Sequence, residues 1–212
     1  MITTLAFALG AAVCTTAEVS SHESPLTIHH VAIDSTYKAL YESGLTFANF
    51  VAAATARKEQ WEGNYALKIA PDALVTRATA AGSGWKLLVV TVPGCSDSVN
   101  IVPYMASFLD KVPSIEMRLI NATVGKSVME AHRTPDGRGA TPTFILLDGE
   151  FNERGCWIER PSELIRLMSS GTDFEGKMAW YDKDRGASSL EEIVQVIEAA
   201  HAGSVKCASK AP

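Results

Sequence analysis

The stretch Trp85-Lys86-Leu87-Leu88-Val89-Val90-Thr91-Val92-Pro93-Gly94-Cys95-Ser96-Asp97-Ser98 decides how the chain is read. Its first six residues form an apolar, β-branched run of the kind found in a strand buried on both faces. Asp97 and Ser98 are helix-capping types, and Val99, Val102, Met105, Ala106 and Leu109 follow at helical spacing. A strand, a turn and a helix N-terminus are therefore expected in succession, with Cys95 at the turn. Unpaired N–H groups and the helix dipole at such a position favour a thiolate, which is a physical reason to expect redox chemistry there.

The bulk composition bounds the alternatives. The chain has 212 residues, 47% of them hydrophobic, enough to bury a substantial core. A formal charge of −5 argues against nucleic acid as a partner, since phosphate binding needs clustered Lys and Arg. No segment reaches the ~18 consecutive apolar residues of a membrane span.

Residues 1–17 read as a signal peptide: Leu5 to Val13 is an apolar core and Thr15-Thr16-Ala17 supplies small residues for cleavage, although the n-region has no Lys or Arg. A periplasmic or extracellular location follows, or a cytoplasmic one if the segment is retained as a packed helix. Cleavage leaves Cys95, Cys156 and Cys207, an odd set spread over 112 positions that does not resemble a disulfide framework. Residues 18–33 read as a polar linker; His22, His29 and His30 lack the spacing and partners of a metal site, and no metal is expected.

From residue 34 to 82 the pattern is helical. Asp34 or Ser35 caps a first piece ended by Gly44, Thr46 opens a longer helix with Phe47, Phe50, Val51, Ala54 and Trp61 on one face, and Pro71 opens a third. After the Cys95 helix, expected to run to Lys111 with a kink at Pro103, Ser114 to Asn121 alternates as a strand. A short helix, Gly125 to His132, precedes the buried strand Phe144 to Leu147, and Asp148-Gly149 turns it into a returning strand with Cys156-Trp157-Ile158. Pro161 opens a helix to Met168, residues 169–187 read as a polar loop, and Ser188-Ser189-Leu190-Glu191 forms a capping box for a final helix over 188–202. Residues 203–212 read as a flexible tail. The order predicts a mixed sheet between helices, with two parallel crossovers followed by an antiparallel pair.

Taken together these segments resemble the thioredoxin-fold family, and more narrowly bacterial thioredoxin-like proteins with one active-site cysteine in a Cys-x-Asp context. Cys95 followed by Pro103, Arg138-Gly139-Ala140-Thr141-Pro142-Thr143 before a strand, and Asp148-Gly149-Glu150 with Cys156-Trp157 are the matching motifs, over residues 85–168. The resemblance implies an α/β domain over 34–202: a helical extension (34–82), a core (83–168) with a central mixed sheet, and a C-terminal helix. It also implies a cis Pro142 opposite Cys95, Thr141 offering backbone to a substrate, and Trp157 at the rim of the same groove. Three departures stand out. Ser98 replaces the resolving cysteine, Val89 replaces the buried acid of the strand, and Gly94 replaces the aromatic residue before the cysteine.

Two functions fit these residues. One is an exported monothiol oxidoreductase with Cys95 as nucleophile, Ser98 hydrogen-bonding the thiolate and Asp97 tuning it. It would act on protein disulfides or small thiols, with no bound cofactor but a low-molecular-weight thiol completing turnover. The other is a non-catalytic peptide-binding module using Thr141, Pro142 and Trp157. No phosphate-binding loop or HExxH motif is present. Asp182 to Gly186 lacks the spaced acidic ligand of a calcium loop.

Overall fold

The computed structural model describes residues 36–208, all within the unit Ile33–Pro212. The expected leader (1–17), the linker (18–33) and the last four residues of the expected tail lie outside the described residues.

Four helices lead in: α1 (Tyr37–Ser43), α2 (Phe47–Ala52), α3 (Lys58–Ala66) and α4 (Asp72–Ala80). Threonine hydroxyls cap the first two, Thr36 accepting from the Ala39 N–H and Thr46 from the Asn49 N–H. The single helix expected from Thr46 past Trp61 is broken, because the chain turns through a left-handed Arg57 (φ 54°) before α3. Strand β1 (Trp85–Thr91) follows, then α5 (Ser96–Val99) and α6 (Val102–Leu109). Pro103 does not kink one long helix: it sits in the first turn of α6, where a missing N–H costs nothing, so the segment is two helices. Next come β2 (Ile115–Asn121), α7 (Lys126–Ala131), β3 (Thr143–Leu147), β4 (Glu153–Ile158) and α8 (Ser162–Ser169). The chain then forms α9 (Phe174–Asp184), α10 (Ala187–His201) and a short β5 (Lys206–Ala208).

The five strands form one mixed sheet in the order β2-β1-β3-β4-β5. β1 and β2 are parallel, with Val89 opposite Leu119; β3 is antiparallel to β1, and β4 antiparallel to β3. Only the first of the two expected parallel crossovers is therefore present. Side chains alternate between two faces. Leu87, Val89, Phe144, Leu146 and Trp157 pack with α2 to α6 and α8 to α10. Leu88, Val90, Ile145, Cys156 and Ile158 pack with α1 and α7.

Three expectations about the second half change. Residues 169–187 are not a loop: Asp173 caps α9 by accepting from the Gly176 N–H, and Tyr181 is buried. The capping box at Ser188 does not form. Gly186 is the N-cap of α10, and the Ser188 N–H is met by Asp184 from the preceding helix. Gly186 is needed there: its φ is 80°, and a Cβ would lie 2.7 Å from the Tyr104 ring. The tail is also tied down, since β5 pairs in parallel with β4 and Cys207 is disulfide-bonded to Cys156, Cα to Cα 4.3 Å. Gly155 allows this approach, as a Cβ would meet Val196 at 2.5 Å and the Lys206 carbonyl at 2.7 Å.

Candidate functional site

Cys95 is the N-cap residue of α5 and half-buried. Its Sγ lies 3.5 Å from the Ser98 N–H, which donates to it, and its own S–H donates to the Thr141 carbonyl at 3.2 Å. The Thr141–Pro142 peptide is cis. The turn is fixed on both sides: the Thr143 hydroxyl donates to the Ala140 carbonyl at 2.8 Å, and the Glu159 N–H donates to the Pro142 carbonyl at 2.8 Å.

The helical extension clamps the loop that holds the thiol. From α3 and the turn before it, Arg57 Nε donates to the Gly94 carbonyl (3.1 Å) and Trp61 Nε1 to the Pro93 carbonyl (3.0 Å). Asn64 Nδ2 donates to the Val99 carbonyl (2.8 Å). Trp61 thus belongs to the core, as its spacing indicates, and also spends its one polar atom on the loop beside Cys95.

Asp97 is buried in the first turn of α5. It does not cap the helix. Its carboxylate accepts from Arg160 Nε and Nη2 (3.2 and 3.0 Å), from Lys177 Nζ (3.1 Å) and from the Tyr181 hydroxyl (2.8 Å). Lys177 also donates to Ser96 Oγ at 2.9 Å. Burial pushes the Tyr181 hydroxyl far above the ordinary phenol range, and the Asp97 charge adds to this. Burial alone would lower the Arg160 pKa, but the hydrogen bond and charge of Asp97 outweigh it and raise it. A carboxylate whose charge would disfavour a thiolate at Cys95 is thus matched by two cations, the buried Lys177 and the half-buried Arg160.

The other expected site residues divide. Thr141 and Pro142 lie against Cys95. The Ser98 hydroxyl is buried with no hydrogen-bond partner, so this residue meets the sulfur through its backbone N–H instead. Trp157 is not at a rim. It is 1% exposed, stacks edge-on against Phe144 (5.6 Å), and its Nε1 donates to Glu192 on α10 at 2.8 Å. Strand alternation places it on the helix-covered face, which decides the matter against the groove.

Arg160, Lys177 and Tyr181 are not among the residues that the sequence pattern marks, and the last two lie on α9, whose polar composition reads as a loop. The spacing Phe174, Met178, Tyr181 is the helical signal that its polar residues obscure. Beside the Pro142 turn, Arg138, Glu159, Arg160, Ile165 and Met168 line a cavity of about 260 Å³. A larger cavity, about 570 Å³, is lined by Phe47, Val51, Tyr65 and Leu109, and none of the residues around Cys95 reaches it.

A cysteine at a helix N-terminus, after a central parallel strand and against a cis-proline turn, defines a thioredoxin-like protein. The chain belongs to the thioredoxin family, whose model, described as Thioredoxin, matches residues 44–175. Two solved structures share the fold. A protein of unknown function from Pseudomonas aeruginosa is 23% identical with a TM-score of 0.62, over 78% of this chain and 98% of that one. An HIV epitope scaffold is 22% identical with a TM-score of 0.61, over 77% of this chain and 98% of its own. No curated protein matches the sequence.

Proposed function

We propose that this protein is an exported thiol-disulfide oxidoreductase that works through Cys95 alone. The observation that carries this reading is the placement of one free thiol. Among the described residues Cys95 is the free cysteine, at a helix N-terminus and facing the Pro142 turn, while Cys156 and Cys207 are bonded to each other. Cys156 sits two strands away from β1, which also argues against its resolving a mixed disulfide at Cys95.

The chemistry has two steps. The Cys95 thiolate attacks a substrate disulfide, forming a mixed disulfide and releasing one substrate thiolate. A low-molecular-weight thiol then attacks that bond, leaves joined to the remaining substrate sulfur, and returns Cys95 as thiolate. The Ser98 N–H supports negative charge on Sγ, and Arg160 and Lys177 compensate Asp97 so that its charge does not oppose this. When Cys95 loses its proton, the Thr141 carbonyl loses a donor and is available to an extended peptide N–H. Export is supported by the disulfide, a bond that persists in oxidising compartments.

A second reading, a binding module with a structural Cys95, draws on the S–H bond to Thr141, which holds the thiol in a satisfied position. The pH dependence of Cys95 alkylation, against Cys95→Ser, separates the two. Reaction well below the ordinary thiol range near ~8.5, with a mixed disulfide released only by added thiol, is expected of the enzyme. Alkylation like that of a free cysteine would leave the binding module.

A further inference from the structure

The face of the sheet opposite Trp157 holds a second group of reactive side chains. Cys156 on β4 and Cys207 on β5 are joined by the disulfide, and His132 and Glu153 stand beside them. One donor atom from each of the four lies within 4.8 Å of every other. Cys156 is fully buried and His132 nearly so. The His132 Nε2 and Glu153 Oε1 atoms are 2.8 Å apart, and His132 Nδ1 is 2.9 Å from the Val128 carbonyl. The Tyr37 hydroxyl donates to the other oxygen of Glu153.

We propose that reduction of the Cys156–Cys207 disulfide creates a binding site for a thiophilic divalent cation of the Zn2+ type, with Cys156, Cys207, His132 and Glu153 as ligands. Two thiolates, one imidazole and one carboxylate make a four-donor set suited to tetrahedral coordination. The supports of such a site are already in place. Donation from Nδ1–H to the Val128 carbonyl orients the ring and directs Nε2 at the cation, and Tyr37 holds the carboxylate through its second oxygen. The sulfurs must separate to about 3.8 Å around a metal with Zn–S bonds of ~2.3 Å. β5, three residues long at the edge of the sheet, is the element that can give.

The electron and proton balance is simple. A dithiol reductant supplies two electrons and two protons, becoming a disulfide as the Cys156–Cys207 bond becomes two thiols. The cation then displaces both thiol protons and any proton on Nε2, which pass to solvent as the metal–sulfur and metal–nitrogen bonds form. A disulfide oxidant such as an oxidised low-molecular-weight thiol reverses this. It takes up the two electrons and, from solvent, two protons, becoming two thiols as the Cys156–Cys207 bond re-forms and the cation is expelled, so the disulfide and the metal exclude each other. The oxidised form belongs to an oxidising compartment and the metal form to reducing conditions.

The test uses the whole chain carrying Cys95→Ser, reduced with a water-soluble phosphine that is then removed, and titrated with Co2+ without oxygen. One Co2+ per chain is expected, with thiolate-to-cobalt charge-transfer absorption and the intense visible bands of a tetrahedral ion, all lost on adding Zn2+. The oxidised chain keeps every donor outside the pair and should show no charge-transfer band. His132→Ala and Glu153→Gln should each weaken binding by about tenfold or more, as loss of metal-site groups does, and shift the visible bands. Equal spectra in oxidised and reduced chains, or unchanged affinity in both variants, overturns the proposal. If reduction alone unfolds the chain, Co2+ must restore the native circular dichroism in the parent and not in His132→Ala; failure to restore it in the parent overturns the proposal equally.

Discussion

The carboxylate of Asp97 and the ammonium of Lys177 meet at 3.1 Å across 80 residues of sequence, both almost wholly buried, one residue beyond Ser96 and two beyond Cys95. This pair, with Arg160 and Tyr181, ties α5 to α9 and to the end of β4 directly beneath the thiol loop. Position 89 in the strand is a valine, so the buried carboxylate at this loop comes from the helix side, with its charge compensated.

Removing one partner from this cluster should be costly. Asp97→Asn leaves the buried Lys177 without its counter-charge and leaves the half-buried Arg160 its pairing with Glu159, and is expected to lower stability by ~3–5 kcal/mol, read by urea unfolding at neutral pH. Lys177→Met removes a charge and keeps a similar volume, so it should cost less and slow Cys95 alkylation at fixed pH. A double-mutant cycle with a coupling near zero would show that the pair is not an interacting unit.

Trp157 tests the assignment of the groove. Trp157→Ala is expected to cost ~3–5 kcal/mol as a large buried aromatic. Trp157→Phe, which keeps a ring and loses the bond to Glu192, should cost ~1–2 kcal/mol. At a temperature where Trp157→Phe is folded, its rate of mixed-disulfide formation should match the parent; a large loss there would return Trp157 to the substrate site.

The disulfide closes a loop of 51 residues in separation. Chain-entropy cost alone predicts that the doubly substituted Cys156→Ser, Cys207→Ser chain loses about 4 kcal/mol relative to the oxidised parent. Comparison of unfolding free energies without metal ions checks this, and a difference below ~1 kcal/mol would mean that β5 stays ordered in the unfolded ensemble or adds strain to the fold.

Arg77 on α4 bridges Glu191 and Glu198 on α10, with contacts of 2.8 and 2.7 Å. Its hydrogen bonds hold both glutamates below the ordinary carboxylate range. Because the folded pKa values are depressed, the stabilisation is fully present above the unfolded value near ~4.3 and is lost as the pH falls through the folded values. The side chains are more than a third exposed, so solvent screening limits the effect to ~0.5–1 kcal/mol. Arg77→Ala should lower the melting temperature at pH 7 and leave it nearly unchanged at pH 2.

Much of the architecture is legible in the sequence because it is local. The apolar run at Leu87 to Val90, the cap at Thr46 and the Asp148-Gly149 turn each depend on neighbours a few residues away, whereas the first helix is capped by Thr36 and not by the expected Asp34 or Ser35. Pro103 shows the limit: the same residue fits a kink or a helix start, and the break at Asn100–Ile101 is decided by packing. Helix α9 was hidden because its buried face includes Lys177, a residue type that belongs inside only when a partner such as Asp97 is there to meet it.

The sequence by itself determined the position of Cys95, the absence of a thiol at Ser98 and of an acid at Val89, since these are matters of residue identity at fixed offsets from a strand. The tertiary structure alone decided which groups surround that sulfur. Arg160 and Lys177 come from elements 63 and 80 residues beyond Asp97, and Trp157 is turned inward by the alternation of β4. It also decided that Cys156 and Cys207 meet, because only the parallel pairing of β4 with a short edge strand places their Cα atoms 4.3 Å apart. Residue pattern encodes local geometry, whereas the pairing of buried charges and thiols depends on long-range packing that no local periodicity records.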